Sequence, residues 1–520
     1  MMVETRDIIW LLGVPIDRLS LPDAVDKIIA FSNNDRAKHG PRLVATVNAD
    51  FLANALPWFG SVVRHPELVR ILRRADMCTA DGMPLLWMAR FLGSPLPDRV
   101  TGADLVPALA RAAADKGKSI YLFGGIPEIA RQAAEKMRKD NPGLNIAGVH
   151  SPFINTKGVE LADAYEKDQA LCEKINRCEP DILLIAFGNP KQELWFARNR
   201  HRLKAGAAIG IGGTFDFITG RRLRAPLWMR KTGVEWLFRM LQDPRRLGRR
   251  YAVDAGKLMS GFATAGACHA IGKIRDFCQS KPEKAGQPTR IMLQFHSGQH
   301  TVRLLNLFPD SLQNNPADYL EEIQQCEDCE AVFFNCKYLS NLNSKQIGSL
   351  MVAWETAAAR PYPLFLVNIK FAFKRLLKSN RAWDMLAPYA CRTPAEAVTR
   401  LAGIWPETRG FIALERHPRY LEMRLLGMLE AIDVAHVNKT ALAKLFAQQP
   451  FLVNFELCTV LDSTGIGFLV QIYQECKSRK VPFCITGISP NLRAMFRAAG
   501  LHNILNIFSD VNKAHAFLQF

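Results

Sequence analysis

Asp81 stands in ADGMPLLWMARFLG, residues 80–93, between an alanine and a glycine just ahead of an apolar stretch of helical period. A carboxylate there has two readings. It is a cap for the helix start, or it is a general base, ionised at neutral pH and able to take a proton from an attacking hydroxyl. Other candidates sit in comparable places. TVNADF offers Thr46 and Asn48, alternate residues that share one face of a strand end and can hydrogen-bond a sugar or an acetamide, or can make an Asx or Thr turn. FGGIPEIA places Gly124 and Gly125 after a strand, with Pro127 suited to a first helical turn. These glycines let backbone amides approach a diphosphate, or they make a tight turn chosen for packing. IGIGGTFDFITG repeats the arrangement with Gly212 and Gly213 and adds Asp216, while FGNPKQELW carries Lys191, Gln192 and Glu193 at a helix start, where capping is the plain alternative.

These residues need a frame. Strand-like runs alternate with helical periodicity from residue 42 onward: RLVATVNAD, SIYLFGG then IPEIARQAAEKMRK, DILLIAFG then NPKQELWFARNRHRL, and AAIGIGGTFDF. That alternation predicts a Rossmann-like α/β domain with a mostly parallel sheet covered by helices, in which loops at the carboxyl ends of the strands form the site. No G-x-G-x-x-G is followed by an acidic residue about 20 positions on, so no nicotinamide cofactor is expected. The expected domains are 1–250, a basic and amphipathic tail with linker over 251–289, and two modules over 290–402 and 403–520.

The two modules rest on an internal repeat. FNCKYLSNLNSKQIGSL (334–350) aligns with VNFELCTVLDSTGIGFL (453–469), so that Asn335, Leu342, Ser344, Ile347 and Gly348 fall on Asn454, Leu461, Ser463, Ile466 and Gly467, each 119 positions later. The same offset carries Pro363 onto Pro482, Ile369 onto Ile488, Ala395 onto Ala514 and Ala397 onto Ala516. A register held without a gap over about 60 residues marks two copies of one α/β unit.

The chain has 520 residues and a net charge of +18. The excess is concentrated: residues 221–250 hold Arg221, Arg222, Arg224, Arg230, Lys231, Arg239, Arg245, Arg246, Arg249 and Arg250 against Glu235 and Asp243 alone. Trp228, Trp236, Leu237, Phe238, Met240 and Leu241 interleave with these cations, giving one apolar and one cationic face, as in a helix lying on a membrane surface or a solvated surface helix. Nucleic-acid binding would rest on charge alone, with no recognition motif, and is not expected. The opening MMVETRDIIWLLGVPID contains acidic residues and does not read as a signal peptide, and no uncharged run reaches the roughly 18 to 20 residues that span a bilayer. The twelve cysteines are scattered; Cys326 and Cys329 form a C-x-x-C with no second pair at zinc spacing, so ordinary thiols and no metal are expected.

The motifs TVNADF, ADGMPLLW, RVTGADL, LFGG, FGNPKQE, GIGGTFDFITG and RAPLWMRKTGVEWLFRMLQDPRRLGRRY resemble, in order and spacing, the WecG/TagA/CpsF glycosyltransferases over residues 8–251. The resemblance implies an inverting enzyme that moves a sugar from a UDP-sugar to a lipid diphosphate-linked saccharide on the inner face of a bacterial membrane, in surface polysaccharide synthesis. It implies Asp81 as the base, Thr46 and Asn48 lining the sugar site, Arg99 steadying the leaving diphosphate and Gln192 touching substrate. Gly124, Gly125, Gly212, Gly213 and Asp216 match nucleotide-pocket positions. The family is metal-independent, so Lys191, Arg224 and Arg230 are the cations expected to neutralise phosphate charge. An arginine-rich C-terminal appendage is implied to cover the pocket and meet the membrane.

The second module, with LDSTGIG at a helix start, resembles a STAS domain. That resemblance implies a partner protein or kinase and makes Ser463, with Thr464 beside it, the phosphorylation candidate. Helix capping by Asp462 and Ser463 is the alternative. LNSKQIG in the first module keeps Ser344 without the Asp and the central Gly, which points to docking or pairing. A homo-oligomer stays open, as does the rival in which the transferase is inactive and the chain is a STAS-based scaffold.

Overall fold

A computed structural model describes residues 6–33, 40–56, 65–156, 161–242, 251–263, 289–295, 298–307, 331–339, 342–358, 364–392, 411–416, 420–429, 449–455, 458–509 and 511–518, with a few isolated positions between them. The side chains of Lys231 and Arg239, residues Arg245, Arg246, Arg249 and Arg250, the Cys326 and Cys329 pair and residues 264–288 lie outside the described residues.

A short antiparallel hairpin of β1 (Ile8–Leu11) and β2 (Val14–Asp17) opens the chain. Strands β3 (Arg42–Val47), β4 (Met77–Ala80), β5 (Ser119–Gly124), β6 (Asn145–His150), β7 (Ile182–Ala186) and β8 (Ala207–Gly210) then build a six-stranded sheet in the order β4-β3-β8-β7-β5-β6. Every neighbouring pair is parallel. Segments such as ILLIA are apolar at successive positions because both faces of such a sheet are covered. The covering helices are α1 (Leu21–Ser32), α2 (Ala49–Ala55), α3 (Pro66–Arg73), α4 (Met83–Phe91), α5 (Gly102–Asp115), α6 (Pro127–Asp140), α7 (Leu161–Asn176) and α8 (Lys191–Asn199), followed by the short α9 (Thr214–Ile218), α10 (Leu227–Thr232) and α11 (Glu235–Gln242). Local chemistry starts several of them. Ser20 and Asp23 form a reciprocal capping box at α1, and Thr101 caps α5 by accepting from the Asp104 amide.

The sequence reading makes the segment from 251 a tail, yet residues 251–263 are helical and lie against the N-terminal domain. Lys257 Nζ donates to the Ala53 carbonyl at 3.0 Å, and Leu258 and Phe262 pack on that domain's core.

The C-terminal half holds two sheets of one topology. In the first, β9 (Thr289–Phe295) and β10 (Gly298–Asn306) form an antiparallel pair, continued in parallel by β11 (Ala331–Asn335) and β12 (Leu364–Val367). In the second, β13 (Phe411–Arg416) and β14 (Leu421–Leu429) are antiparallel, and β15 (Phe451–Asn454) and β17 (Phe483–Thr486) continue in parallel, with β16 (Cys458–Leu461) beside β14. Helices α12 (Ser344–Ala358) and α13 (Phe371–Ser379) of the first correspond to α14 (Ser463–Ser478) and α15 (Pro490–Ala498) of the second, and α16 (Val511–Leu518) closes the chain. Ser344 and Ser463, Phe371 and Pro490, and Leu364 and Phe483 open matching elements at the offset of 119 seen in the sequence.

Candidate active site

The parallel sheet delivers its candidate residues to one edge, the carboxyl ends of the strands, where helices begin and their free amides point outward. Thr46, at the end of β3, is buried, and its Oγ1 donates to the Gly210 carbonyl at 2.8 Å, tying β3 to β8. Asn48 is the N-cap of α2, its Oδ1 accepting from the amides of Asp50 at 3.0 Å and Phe51 at 3.3 Å. Asp81 follows β4, and its amide donates to the Val47 carbonyl at 2.7 Å. The N-cap of α4 is Gly82, with φ of +142°, so Asp81 stands one residue outside the cap position.

Asn48, Asp81 and Arg99 meet at a cavity of about 760 Å³. The cavity has two characters. Asp50, Asp81, Arg99, Glu235 and Asp254 supply charge, whereas Trp87, Met88, Phe91, Leu258, Met259 and Phe262 supply an apolar wall, with the Phe91 and Phe262 rings 4.7 Å apart. Gly233, between α10 and α11, packs closely over α4. That residue has φ of +82°, and a Cβ there would collide with the Trp87 and Met83 side chains.

An ion-pair chain runs along the rim. Arg99 Nη1 meets Glu235 Oε2 at 2.8 Å, and Arg99 also lies 3.7 Å from Asp104. Arg224 grips Asp104 with both its Nη atoms, at 2.5 and 3.0 Å. Burial pushes the Asp104 carboxyl up, but the bonds from Arg224 and Thr101 and the charge of Arg99 hold it below the ordinary carboxylate range. The hydrogen bond to Asp104 raises Arg224, and Glu235 and Asp81 add to that shift. Two arginines therefore border the acid at residue 81.

The remaining candidates lie outside this cavity lining. Gln192 is buried; its Oε1 accepts from the amides of Gly188 and Gly212, each at 3.1 Å, and its Nε2 donates to Glu193 at 2.6 Å. It thereby joins the loops after β7 and β8. Glu193 is buried in turn, receives Asn189 Nδ2 at 3.3 Å, and burial pushes its carboxyl up to about 8. Gly124 has φ of +99°, and a Cβ on it would lie 3.0 Å from the Ala186 carbonyl, so close approach of β5 to β7 requires glycine here. Gly125 donates its amide to that carbonyl at 2.9 Å. Gly213 is the N-cap of α9, Asp216 lies 3.9 Å from Arg221, Lys191 sits over the Phe153 ring, and the Arg230 Nε is buried with no hydrogen-bond partner among the described residues.

Asp50, Trp87 and Asp254 were not named as lining residues from the sequence, and Glu235, Trp236 and Tyr251 were read only as part of the appendage over the pocket. One signal for part of this set was present. Tyr251, Ala255, Leu258, Met259 and Phe262 recur at helical spacing, marking a face that must be covered.

The chain from residue 9 to 266 matches the model of the glycosyl transferase WecG/TagA/CpsF family. A protein of Bacillus spizizenii strain W23 is 30% identical over 230 residues, which cover 44% of this chain and 85% of that protein. This chain belongs to the WecG/TagA/CpsF glycosyltransferase family. A Bacillus subtilis strain 168 protein is 28% identical over 41% of this chain and 75% of its own length, and one from Staphylococcus aureus strain MW2 is 24% identical over 46% and 86%. All three bear the name N-acetylglucosaminyldiphosphoundecaprenol N-acetyl-beta-D-mannosaminyltransferase. Residues 411–514 match the STAS domain. The solved structure of the anti-sigma factor antagonist SpoIIAA in its unphosphorylated form aligns with 21% of this chain and 98% of its own at 19% identity and a TM-score of 0.19.

The N-terminal domain is thus a glycosyltransferase domain, joined in one chain to a STAS domain. Among the described residues no helix is long and apolar enough to cross a membrane, and no group of three or more His, Cys, Asp and Glu is placed to hold a metal ion. In the STAS domain Asp462 caps α14, accepting from the Gly465 amide at 2.8 Å. Ser463 plays no part in that cap, and its hydroxyl is buried.

Proposed function

We propose that this chain transfers an N-acetylhexosaminyl residue from a UDP-sugar to a polyprenyl diphosphate-linked saccharide, with inversion at the anomeric carbon. The observation that carries this reading is the divided cavity: carboxylate and arginine at one side, a hydrocarbon wall at the other. A lipid-linked acceptor has the same division. In the proposed step the ionised Asp81 carboxylate takes the proton of the acceptor hydroxyl as its oxygen bonds to the sugar C1; the bond from C1 to the diphosphate oxygen breaks and UDP departs. Arg99 and Arg224 neutralise the charge that grows on the diphosphate, with Glu235 and Asp104 holding them in place until it arrives. Asn48 orients the sugar beside Asp81. Thr46, Gln192, Gly188 and Gly212 fix the loops on which the nucleotide rests.

The reaction takes place at the bacterial cytoplasmic membrane, on its inner face. Trp228, Leu241, Phe91 and Met259 are exposed on α10, α11, α4 and the helical segment 251–263, as apolar anchors to lipid require. Donor identity follows the three named relatives, whose donated unit is N-acetylmannosamine. The STAS domain adds regulation, with Ser463 as the residue modified.

Purified full-length protein, vesicles carrying N-acetylglucosaminyl-diphosphoundecaprenol and a panel of UDP-sugars test this. Formation of a lipid-linked disaccharide with release of UDP is expected, fastest with UDP-N-acetylmannosamine. No product from any donor would favour the inactive scaffold.

A further inference from the structure

The two repeats meet the transferase domain through the same face of their fold. Helix α12 of the first lies against β1, and α14 of the second lies against α7. The equivalent glycines, Gly348 and Gly467, sit four residues after the opening serines in both contacts. A Cβ on Gly348 would lie 2.6 Å from the Ile8 carbonyl oxygen, and one on Gly467 would lie 2.5 Å from the Leu161 carbonyl oxygen. Each repeat therefore admits a backbone carbonyl of the transferase domain at the same position of its first long helix. Different transferase elements fill that position in the two cases, so the shared feature belongs to the repeats.

The contacts differ in how they are held. Ser344 Oγ donates to the Trp10 carbonyl at 2.6 Å; the Trp10 ring is buried in the first repeat's core, and its Nε1 donates to the Asn380 carbonyl at 2.9 Å. Arg73 bridges the carbonyls of Gly13 and Arg381. At the second contact the Ser463 amide donates to Glu67 Oε1 at 2.9 Å. The hydroxyls of Ser463 and Thr464 are only 4% and 2% exposed, as whole residues, and neither makes a well-formed hydrogen bond among the described residues, although the Ser463 hydroxyl lies near enough to Glu67 to lower its carboxyl. Beside them lies a cavity of about 30 Å³ lined by His65, Glu67, Thr156 and Met495. Burial pushes the Glu67 carboxyl up, opposed by Arg70 and Ser463. Buried hydroxyls without well-formed hydrogen bonds weaken a contact, because they have lost water and gained little in return.

We propose that the second STAS repeat is a releasable latch on its own transferase domain, closed through Glu67 at the start of α14 and opened by negative charge at Ser463, while the first repeat stays attached. An anion at Ser463 would have to enter a closed space of about 30 Å³ beside the buried Glu67 carboxyl, which leaves no room for its hydration even with Arg70 and Arg198 nearby, so the seam cannot hold it. Water must enter, which separates the surfaces. The transferase domain and any protein that reads or modifies Ser463 are then competitors for one face. Release also reaches the active-site side of the domain: Leu194, which lines the seam, lies on α8, the helix that begins at Lys191 and carries Gln192. This inference rests on the docking geometry and on the reading of Ser463 as the modified residue, and is independent of the chemistry proposed for the cavity.

Hydrogen exchange on the full-length protein tests it. In Ser463→Asp, amides of residues 161–176 and 463–478 should exchange at least about tenfold faster than in wild type, while β15, β17 and β1 keep their protection. Ser463→Ala should match wild type. Adding Glu67→Gln to Ser463→Asp removes the carboxyl beside the new anion and should restore much of the protection. Ser344→Asp should loosen β1 and α12 and leave the second seam alone. The proposal is overturned if Ser463→Asp exchanges like wild type. It is equally overturned if the loss of protection spreads to β15 and β17 and Glu67→Gln does not reverse it, since the charge would then unfold the repeat instead of releasing it.

Discussion

The cavity at Asp81 and the seam at Ser463 are both acid-lined and both sit where a helix begins, yet one has a volume of about 760 Å³ and the other about 30 Å³. At the cavity, Arg99 and Arg224 stand against Glu235 and Asp104, so an arriving anion finds cations already in place. At the seam, Glu67 accepts from the Ser463 amide inside a closed space, and the charges of Arg70 and Arg198 already act on it. The first arrangement favours an incoming charge and the second penalises it. The same residue class therefore serves recognition in one place and exclusion in the other, and the room left for a ligand and its water makes the difference.

Asp81→Asn is the strongest way to break this comparison. Transfer should fall at least about a hundredfold with circular dichroism unchanged, the usual scale for loss of a general base. Near wild-type transfer would leave the cavity without an assigned base. Phe262→Ala comes next. It removes part of the apolar wall and should raise KM for a polyprenyl-linked acceptor about tenfold, with little change for an acceptor on a short, water-soluble chain, since one buried aromatic contributes on this scale. Equal effects on both acceptors would deny the wall its role. Glu235→Gln keeps a hydrogen-bond partner for Arg99 and removes its counter-charge; we expect a several-fold change in the KM for donor, read from initial rates at low and high salt.

The remaining effect is on stability and its pH dependence. Glu193 is pushed up to about 8 in the folded chain from an ordinary value near 4.5, so the folded state keeps a proton that the unfolded chain gives up. Its contribution is fully present below about pH 4.5 and is lost as the pH climbs to about 8, by up to a few kcal/mol. Urea denaturation at pH 5.5 and 8.5 should show a smaller stability difference for Glu193→Gln than for wild type. An identical difference would place the Glu193 proton elsewhere.

Much of the site was legible because strand ends and helix starts carry local signals. Asp81, Asn48 and Arg99 share one cavity, as expected of residues at the carboxyl edge of a parallel sheet. Thr46 and Gln192 were legible as residues of that edge, but their hydrogen bonds to Gly210, Gly188 and Gly212 depend on which strands became neighbours. Glu235 looked like one of two acids in a basic stretch, and its pairing with Arg99 spans 136 positions of sequence. The first repeat read as a docking or pairing module, but nothing local to Ser344 pointed to its burial or to its bond with Trp10, which make charge there costly as well.

The sequence by itself determined the parallel α/β frame, the repeat at an offset of 119 and the helix starts, because these follow from periodicity, glycine and capping residues acting over a few positions. Tertiary structure alone decided that Arg99 meets Glu235 and that both repeats turn their serine-bearing helix inward onto the transferase domain. Those outcomes depend on contacts between distant segments, where close packing and buried charge select the partner and no local pattern encodes the choice.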